Sequence, residues 1–452
     1  MGSIDPRGAV FLAGLLCACQ SAPDAGPDRA RARALIAERS AQPEMHDPDR
    51  PLDAEQQAEL IAEAAADGLE LREAQRLALL LNLRLQAGFA ELGVGRADLA
   101  QAGLLQNPSL GLAFLWPSGG GQTRYGFDLL QSVSSAWELG DRRAQAQALL
   151  DLRILELSRF AGELVAETKA AFLEALAAQA ASVAAQEDRA AAERLAALAE
   201  RRAALGEVDR LDAGLSRAEA QSAKLAAERA RLEVALTRQR LAGQLSLGAG
   251  LGDVLLIAPD PAPVAAAAPL GLEAVRRLDL CALDAALAAA RAELELERGR
   301  RRPATQLGVS GERPERGSAM TFLTGLAASI SLPIFDQNLA QVARAEAQLA
   351  SLEKQRAALA AQVELELEAA ERRRAAAAAA LLEIENGLLP TAADNRALAL
   401  RLFELGERDL GATLAAERAW LRARRLEVDA RLELGQAELA LERALGASLE
   451  AL

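Results

Sequence analysis

The chain is poor in several residue types on which function is commonly built. In 452 residues it has one histidine, three cysteines and one tyrosine, and aromatics make up only 3%. A lone His46 excludes a multi-histidine metal site, and any Ser-His-Asp triad would have to be built around it. It lies in PEMHDPDRP, a polar, Pro-rich stretch that reads as a tether, so it is expected in a solvated loop. Cys17, Cys19 and Cys281 give no disulfide framework. Cys281, in LDLCALDAAL, has the spacing of a helix's buried face and is expected to be a small core residue. Excess positive charge is missing too: the net charge of -13 would repel a phosphate backbone and excludes nucleic acid as a natural partner. No nucleophile-base pair, phosphate loop or metal spacing occurs, so no catalytic residues, no metal and no cofactors are expected, and the chain is not read as an enzyme. Past the amino terminus no run of about 18 apolar residues exists, so any membrane-spanning element must be made of strands.

What is abundant is Ala, Leu, Glu, Arg and Gln, within a hydrophobic content of 51%. That mixture belongs to long helices with a narrow apolar seam. The first 18 residues differ. Gly8 to Ala18 are uncharged and apolar after Arg7, which reads as a signal h-region too short to span a bilayer. Leu16, Cys17 and Ala18 ahead of Cys19 resemble the lipobox of bacterial lipoproteins, which implies Cys19 as the site of lipid attachment; a plain secretory signal is the alternative. Residues 19–67 are read as a flexible, lipidated N-terminal tether.

The remainder divides into two halves with the same order of motifs. LELREAQRLAL near residue 70 matches LGLEAVRRLDL near 270, and QNPSL at 106–110 corresponds to RRPAT at 301–305. WELGDRRAQAQAL from Trp137 corresponds to LPIFDQNLAQVARAEA from Leu332, and RRAALGEVDRLDAG around Gly206 to RLFELGERDLGATL around Gly406. The first repeat is expected over 68–246, a Gly/Pro-rich connector over 247–271, the second repeat over 272–447 and a short tail over 448–452.

Each repeat holds two segments of period 2, at about 108–134 and about 304–332. Leu110, Leu112, Phe114 and Trp116 alternate with Gly111, Ala113 and Leu115 in the first strand. After PSGGGQT, Tyr125, Phe127, Leu129 and Val133 share one face while Arg124, Gly126, Asp128, Ser132 and Ser134 share the other. Leu307, Val309, Phe322, Leu326, Ala328, Ile330 and Leu332 repeat the pattern. A hairpin in a soluble core shows the same alternation. The segment lengths, the aromatics near the ends and the small or polar opposite face match transmembrane strands instead. Four strands cannot enclose a pore, so several protomers would have to pool theirs.

The helical segments are long. Residues 137–246 and 336–447 are read as helical hairpins turning at Gly206 and Gly406, with Pro390 interrupting the second, and their apolar spacing suits antiparallel coiled coils. An unbroken helix over residues 137 to about 203 would reach about 100 Å.

In the order of these motifs the chain resembles the TolC-type outer membrane factor family over roughly residues 68–447. LQNPSL, SLPIFDQNLAQVARAEAQLA, ALGEVDRLDA and ELGERDLGATLAAERA carry the resemblance. It implies a mainly α fold with a small β part: long antiparallel helices forming an α-barrel tunnel, four transmembrane strands per protomer and a trimeric β-barrel in the bacterial outer membrane. It further implies a homotrimer that takes substrates from an inner-membrane transporter through a periplasmic membrane fusion protein, the adaptor, and releases them as a passive duct of a tripartite efflux system. Leu205, Gly206, Glu207 and Val208, with Leu405, Gly406, Glu407 and Arg408, match the tip turns where the adaptor docks. Asp209, Asp212, Arg408 and Asp409, beside Glu407, match the region of the periplasmic gate, although Ala412 and Ala415 stand where family members carry a carboxylate ring. The alternatives are a type I protein secretion duct and a structural coiled-coil periplasmic lipoprotein without a pore.

Overall fold

The computed structural model describes residues 22–248, 251–258, 275–313 and 323–449, apart from positions 43, 67, 117, 120–122, 253, 276, 406 and 408. The expected signal peptide and Cys19 lie outside the described residues, as do Phe322 and most of the connector. The chain forms two compact units. One is built from residues 90–154 and 285–351 with the amino-terminal residues to Ala30, the other from 31–89, 155–284 and 352–452.

The first unit contains the only strands among the described residues: β1 (Ser109–Leu115), β2 (Arg124–Ser132), β3 (Thr305–Glu312) and β4 (Leu323–Ile330). They make one antiparallel sheet in the order β1-β2-β3-β4. Gly308 is there because a side chain would collide with the Leu129 carbonyl of β2, so only glycine permits this approach. The sheet is entered and left through capped junctions. After β2 the Val133 N–H donates to the Thr305 carbonyl (2.9 Å), and Ser135 Oγ donates to the Ser132 carbonyl (2.8 Å) at the short helix α5 (Ser134–Trp137). After β4, Ser331 donates to the Ala304 carbonyl (2.9 Å), and Pro333 follows where the ladder has ended and no N–H is needed. Asn338 then takes a left-handed backbone, φ 58°, a conformation Asn tolerates, with its side-chain amide on the Glu297 carbonyl (2.9 Å). Leu294, Val342 and Ala345 form a small core in this unit.

The helices in chain order are α1 (Gly26–Ser40), α2 (Ala54–Ala66), α3 (Leu71–Leu81), α4 (Leu83–Ala102), then α5, α6 (Leu139–Ala204), α7 (Arg210–Gln244), α8 (Leu278–Gly299), α9 (Leu339–Glu383), α10 (Leu389–Glu404) and α11 (Leu410–Leu445). In the second unit α7 returns along α6, because ion pairs run Glu200–Arg217 (2.7 Å), Glu228–Arg189 (3.9 Å) and Glu174–Arg240 (3.5 Å), one index falling as the other rises. Likewise α11 returns along α9 and α10: Leu367 and Ala370 pack with Leu441, Ala444 and Leu445, and ion pairs join Glu385, between the two helices, to Arg431 (3.0 Å) and Arg396 to Glu417 (2.8 Å). Small alanines at the seams let helices approach, and Phe89, Phe172 and Phe403 supply the fully buried bulk. No single described helix is long and apolar enough to cross a membrane; only α3 with α4, bent by 44°, passes that test as a pair. The apolar run of α3, Leu77 to Leu81, is buried in the protein.

Four expectations are corrected. Pro390 does not interrupt the second long helix: the ladder widens to a π turn at Ile384–Leu388, and the Thr391 hydroxyl takes up the Gly387 carbonyl at 2.8 Å. Residues 26–40 of the expected tether are helical as well as the Ala54–Ala66 stretch whose composition already turned helical, and Ala32, Ile36 and Met45 are buried. His46 is therefore not solvated; it is only 8% exposed, its N–H donates to the Leu79 carbonyl (3.0 Å), and its ring lies 6.2 Å from that of Phe89. Cys281 is exposed, on the face of α8 opposite to the expected one.

Candidate functional site

Two regions carry the expected functional residues, and the first is the sheet. Cross-strand register sets Leu112 opposite Phe127, Phe127 opposite Gly311, Leu129 opposite Val309 and Val309 opposite Leu326. Directly paired residues point to the same side. One face is thus apolar across all four strands, running Leu110 and Leu112, Phe127 and Leu129, Leu307 and Val309, Leu326 and Ala328. These side chains are not covered within the chain: Leu110 is 63% and Leu326 93% exposed. The other face carries Gly111, Asp128, Ser310 and Gly325 in one row, and the Arg124–Glu312 ion pair near one end. A soluble sheet would bury the greasy side and wet the small one. This sheet leaves its apolar face exposed on all four strands, and a contiguous exposed apolar patch marks a protein or membrane contact.

The sheet's edges are open. Among the described residues only β2 and β3 have neighbours on both sides, so β1 and β4 are the edges of the sheet and each presents a row of backbone groups without a strand partner. At the strand ends Trp116 is 75% exposed, and Leu332, Ile334 and Phe335 of the β4 junction are 70%, 67% and 100% exposed.

The second region is the pair of turns in the other unit. At the end of α6 the Glu207 N–H reaches back to the Arg202 carbonyl (3.0 Å) and Gly206 adopts φ 77°, so the turn is a Schellman-type cap needing glycine. The Glu407 N–H makes the matching bond to the Leu402 carbonyl (2.9 Å) at the end of α10; Gly406 and Arg408 lie outside the described residues. Asp209 and Asp409 are the N-caps of the returning helices, accepting from the N–H of Leu211 (3.4 Å) and of Ala412 (2.9 Å). Asp212 sits half-buried in the first turn of α7, where a carboxylate suits the helix dipole. Among the described residues no ion pair joins Asp209, Asp212 or Asp409 to another side chain. Leu205 and Leu405 project from the two turns, 75% and 66% exposed.

Arg202 binds the two turns together, and nothing in the motif spacing announced it. Its guanidinium donates to the carbonyls of Phe403 (3.0 Å) and Glu404 (3.3 Å) and lies 4.5 Å from the Phe403 ring centre. A cation at the C-terminal end of α10 satisfies carbonyls that the helix leaves without partners. Beneath it Leu195, Ala199, Phe403, Leu410 and Leu414 form one apolar cluster.

Comparisons with known proteins agree with this geometry. Residues 270–447 match the family model described as outer membrane efflux protein. That segment holds LPIFDQN and ELGERDLGATLAAERA, two of the stretches that carried the resemblance in the sequence. No curated protein matches the chain. Among solved structures, the outer membrane protein VceC from Vibrio cholerae is similar with a TM-score of 0.70 at 18% identity, over 84% of this chain and 96% of that one. The outer-membrane channel OprN gives 0.69 at 21% identity, over 89% and 94%. The MtrE outer membrane channel of Neisseria gonorrhoeae, in its open state, gives 0.67 at 19% identity, over 84% and 89%. The fold is that of these channels.

Proposed function

We propose that this chain, whose residues 270–447 match the outer membrane efflux protein family, is the outer membrane duct of a tripartite efflux system. The observation that carries the reading is the sheet: an apolar face continuous over four strands, exposed, with two open edges. In hydrocarbon an open edge leaves backbone groups without partners, each costing several kcal/mol, so spanning strands must close into a barrel. Four strands are too few to enclose a channel. Pairing β4 of one copy with β1 of the next, three times over, closes the ring with the apolar face toward lipid and Asp128, Ser310 and the Arg124–Glu312 pair toward water.

In this reading the recurrence of helix, strand pair, long helix and returning helix is an internal duplication, and the long helices of three copies form the tunnel. The duct is passive, with no catalytic step of its own. Leu205, Gly206, Glu207 and Val208, with Leu405, Gly406, Glu407 and Arg408, are the surface on which a periplasmic adaptor docks. Asp209 and Asp409 have capping roles, so of the proposed gate residues Asp212 and Arg408 are those left to act on a pore. Cys19 carries the lipid that anchors the amino terminus. Heat-modifiable trimers in outer membrane fractions test the reading. A chain that stays in the soluble periplasmic fraction as a monomer would return it to a structural coiled-coil lipoprotein.

A further inference from the structure

One charged cluster in the helical unit serves neither the sheet nor the turns. Glu417 of α11 is only 6% exposed, and its two oxygens differ. Oε2 accepts from Arg396 Nε of α10 at 2.8 Å, whereas Oε1 is buried with no hydrogen-bond partner. A buried carboxylate oxygen left so is costly, and such groups are rare enough that each calls for a missing donor. The charged groups around the site are Asp188 and Glu187 of α6, Arg396 of α10, and Glu417 and Arg424 of α11. Both cations are engaged elsewhere: Arg396 on Glu417, and Arg424 on Glu187 at 3.9 Å, while the two guanidinium groups lie 5.6 and 5.7 Å from the Trp420 ring centre. Among the described residues no ion pair joins Asp188 to a cation, and the nearby Arg396 and Arg424 charges only partly offset what raises it. Burial, and then the neighbouring Glu417 charge, push its carboxyl up to about 6.

We propose that Asp188 is a proton-binding group and that its protonated form donates to Glu417 Oε1, so that one proton taken from solvent ties α6 to α11. Two carboxylates in a half-buried site cannot both ionise cheaply, and sharing a proton supplies the donor that Oε1 lacks. The sign follows from the folded state holding the proton more tightly than the unfolded chain, whose Asp titrates near 3.8. The stabilisation is fully present below that value and is lost as pH rises through about 6, so the contact between the two helices is firm in mild acid and loosens at neutral pH. The inference does not depend on the duct reading, since the proton and both helices belong to one chain.

Trp420 provides the readout, one turn beyond Glu417 on α11. In the full-length protein carrying Trp116→Phe and Trp137→Phe, its fluorescence is followed from about pH 4.5 to about pH 8, with the melting temperature measured at both ends. The expected result is one transition with a midpoint near 6 and a higher melting temperature on the acid side. Asp188→Asn, which keeps a donor but cannot titrate, should abolish the Trp420 transition and remove the acid-side gain in melting temperature, leaving only the opposite trend set by His46. Glu417→Gln should move the midpoint by about one unit toward acid, because the charge that raises it has gone. A midpoint unchanged in Asp188→Asn, or no transition between about pH 5 and about pH 7 in the parent, overturns the proposal.

Discussion

Arg202, at the end of one long helix, lies against Phe403, at the end of another: its guanidinium is 4.5 Å from the ring centre and donates to the Phe403 carbonyl at 3.0 Å. The contact holds the ends of α6 and α10 in register with the apolar cluster beneath them. Replacing Arg202 by Met keeps the stem and removes both interactions, and should cost about 2–3 kcal/mol of unfolding free energy. Arg202→Lys should recover less than half, because an ammonium cannot stack on the ring and span two carbonyls together. Denaturant unfolding of the two variants checks both figures; equal stability of the Lys variant and the parent would count against the stacked, forked geometry.

Gly206 gives a cleaner backbone test. Its φ is 77° and a methyl group there would meet nothing within 4 Å, so Gly206→Ala should cost about 1–2 kcal/mol through conformation alone. The equilibrium stability of Gly206→Ala is compared with that of Gly206→Asn, which tolerates the left-handed region and should lose less.

Neighbouring residues of β3 face opposite sides, which in the proposed barrel separates lipid from water. Val309→Lys places a charge on the apolar face and should cost about 2–4 kcal/mol if that residue lies near the bilayer midplane. Ser310→Lys points to the other face, opposite Asp128, and should be tolerated. The yield of heat-modifiable oligomer in outer membrane fractions should fall sharply for the first and little for the second. Equal yields would remove the lipid-facing assignment.

Burial holds the His46 imidazole below its ordinary value of 6.5, with neighbouring Asp47 acting weakly the other way. The unfolded segment therefore binds the proton more readily than the folded one. Stability from this contact is present above about 6.5 and is lost as pH falls through that value toward the lower, folded one. Amide exchange at His46, whose N–H is on the Leu79 carbonyl, should lose protection between about pH 7 and about pH 5. His46→Leu should remove that dependence, and a Leu variant as pH-sensitive as the parent would contradict it.

The elements that sequence made legible are those with a local period. Alternation located the four strands and the faces of Leu112, Asp128 and Val309, because a side-chain period of two survives whatever the sheet packs against. The turn at Gly206 was legible for a similar reason, since a left-handed residue after a helix demands glycine. What escaped depended on contacts far apart in sequence. His46 looked solvated because its polar neighbours hide a burial supplied by Phe89. Pro390 looked like a stop because the widening of the helix at Ile384–Leu388 is a tertiary accommodation that no propensity contains. Arg202 resembled its many surface counterparts, and only Phe403, some 200 residues on, gives it a role. Cys281 shows the converse: helical spacing names a face without saying which side of it the protein covers.

The central claim is that copies of this chain pool open-edged sheets into one conducting barrel. The most direct measurement is single-channel conductance of the purified protein in a planar bilayer, taken with its mass in detergent. The account predicts a trimer with stable open currents. A monomer or dimer that never conducts would contradict it.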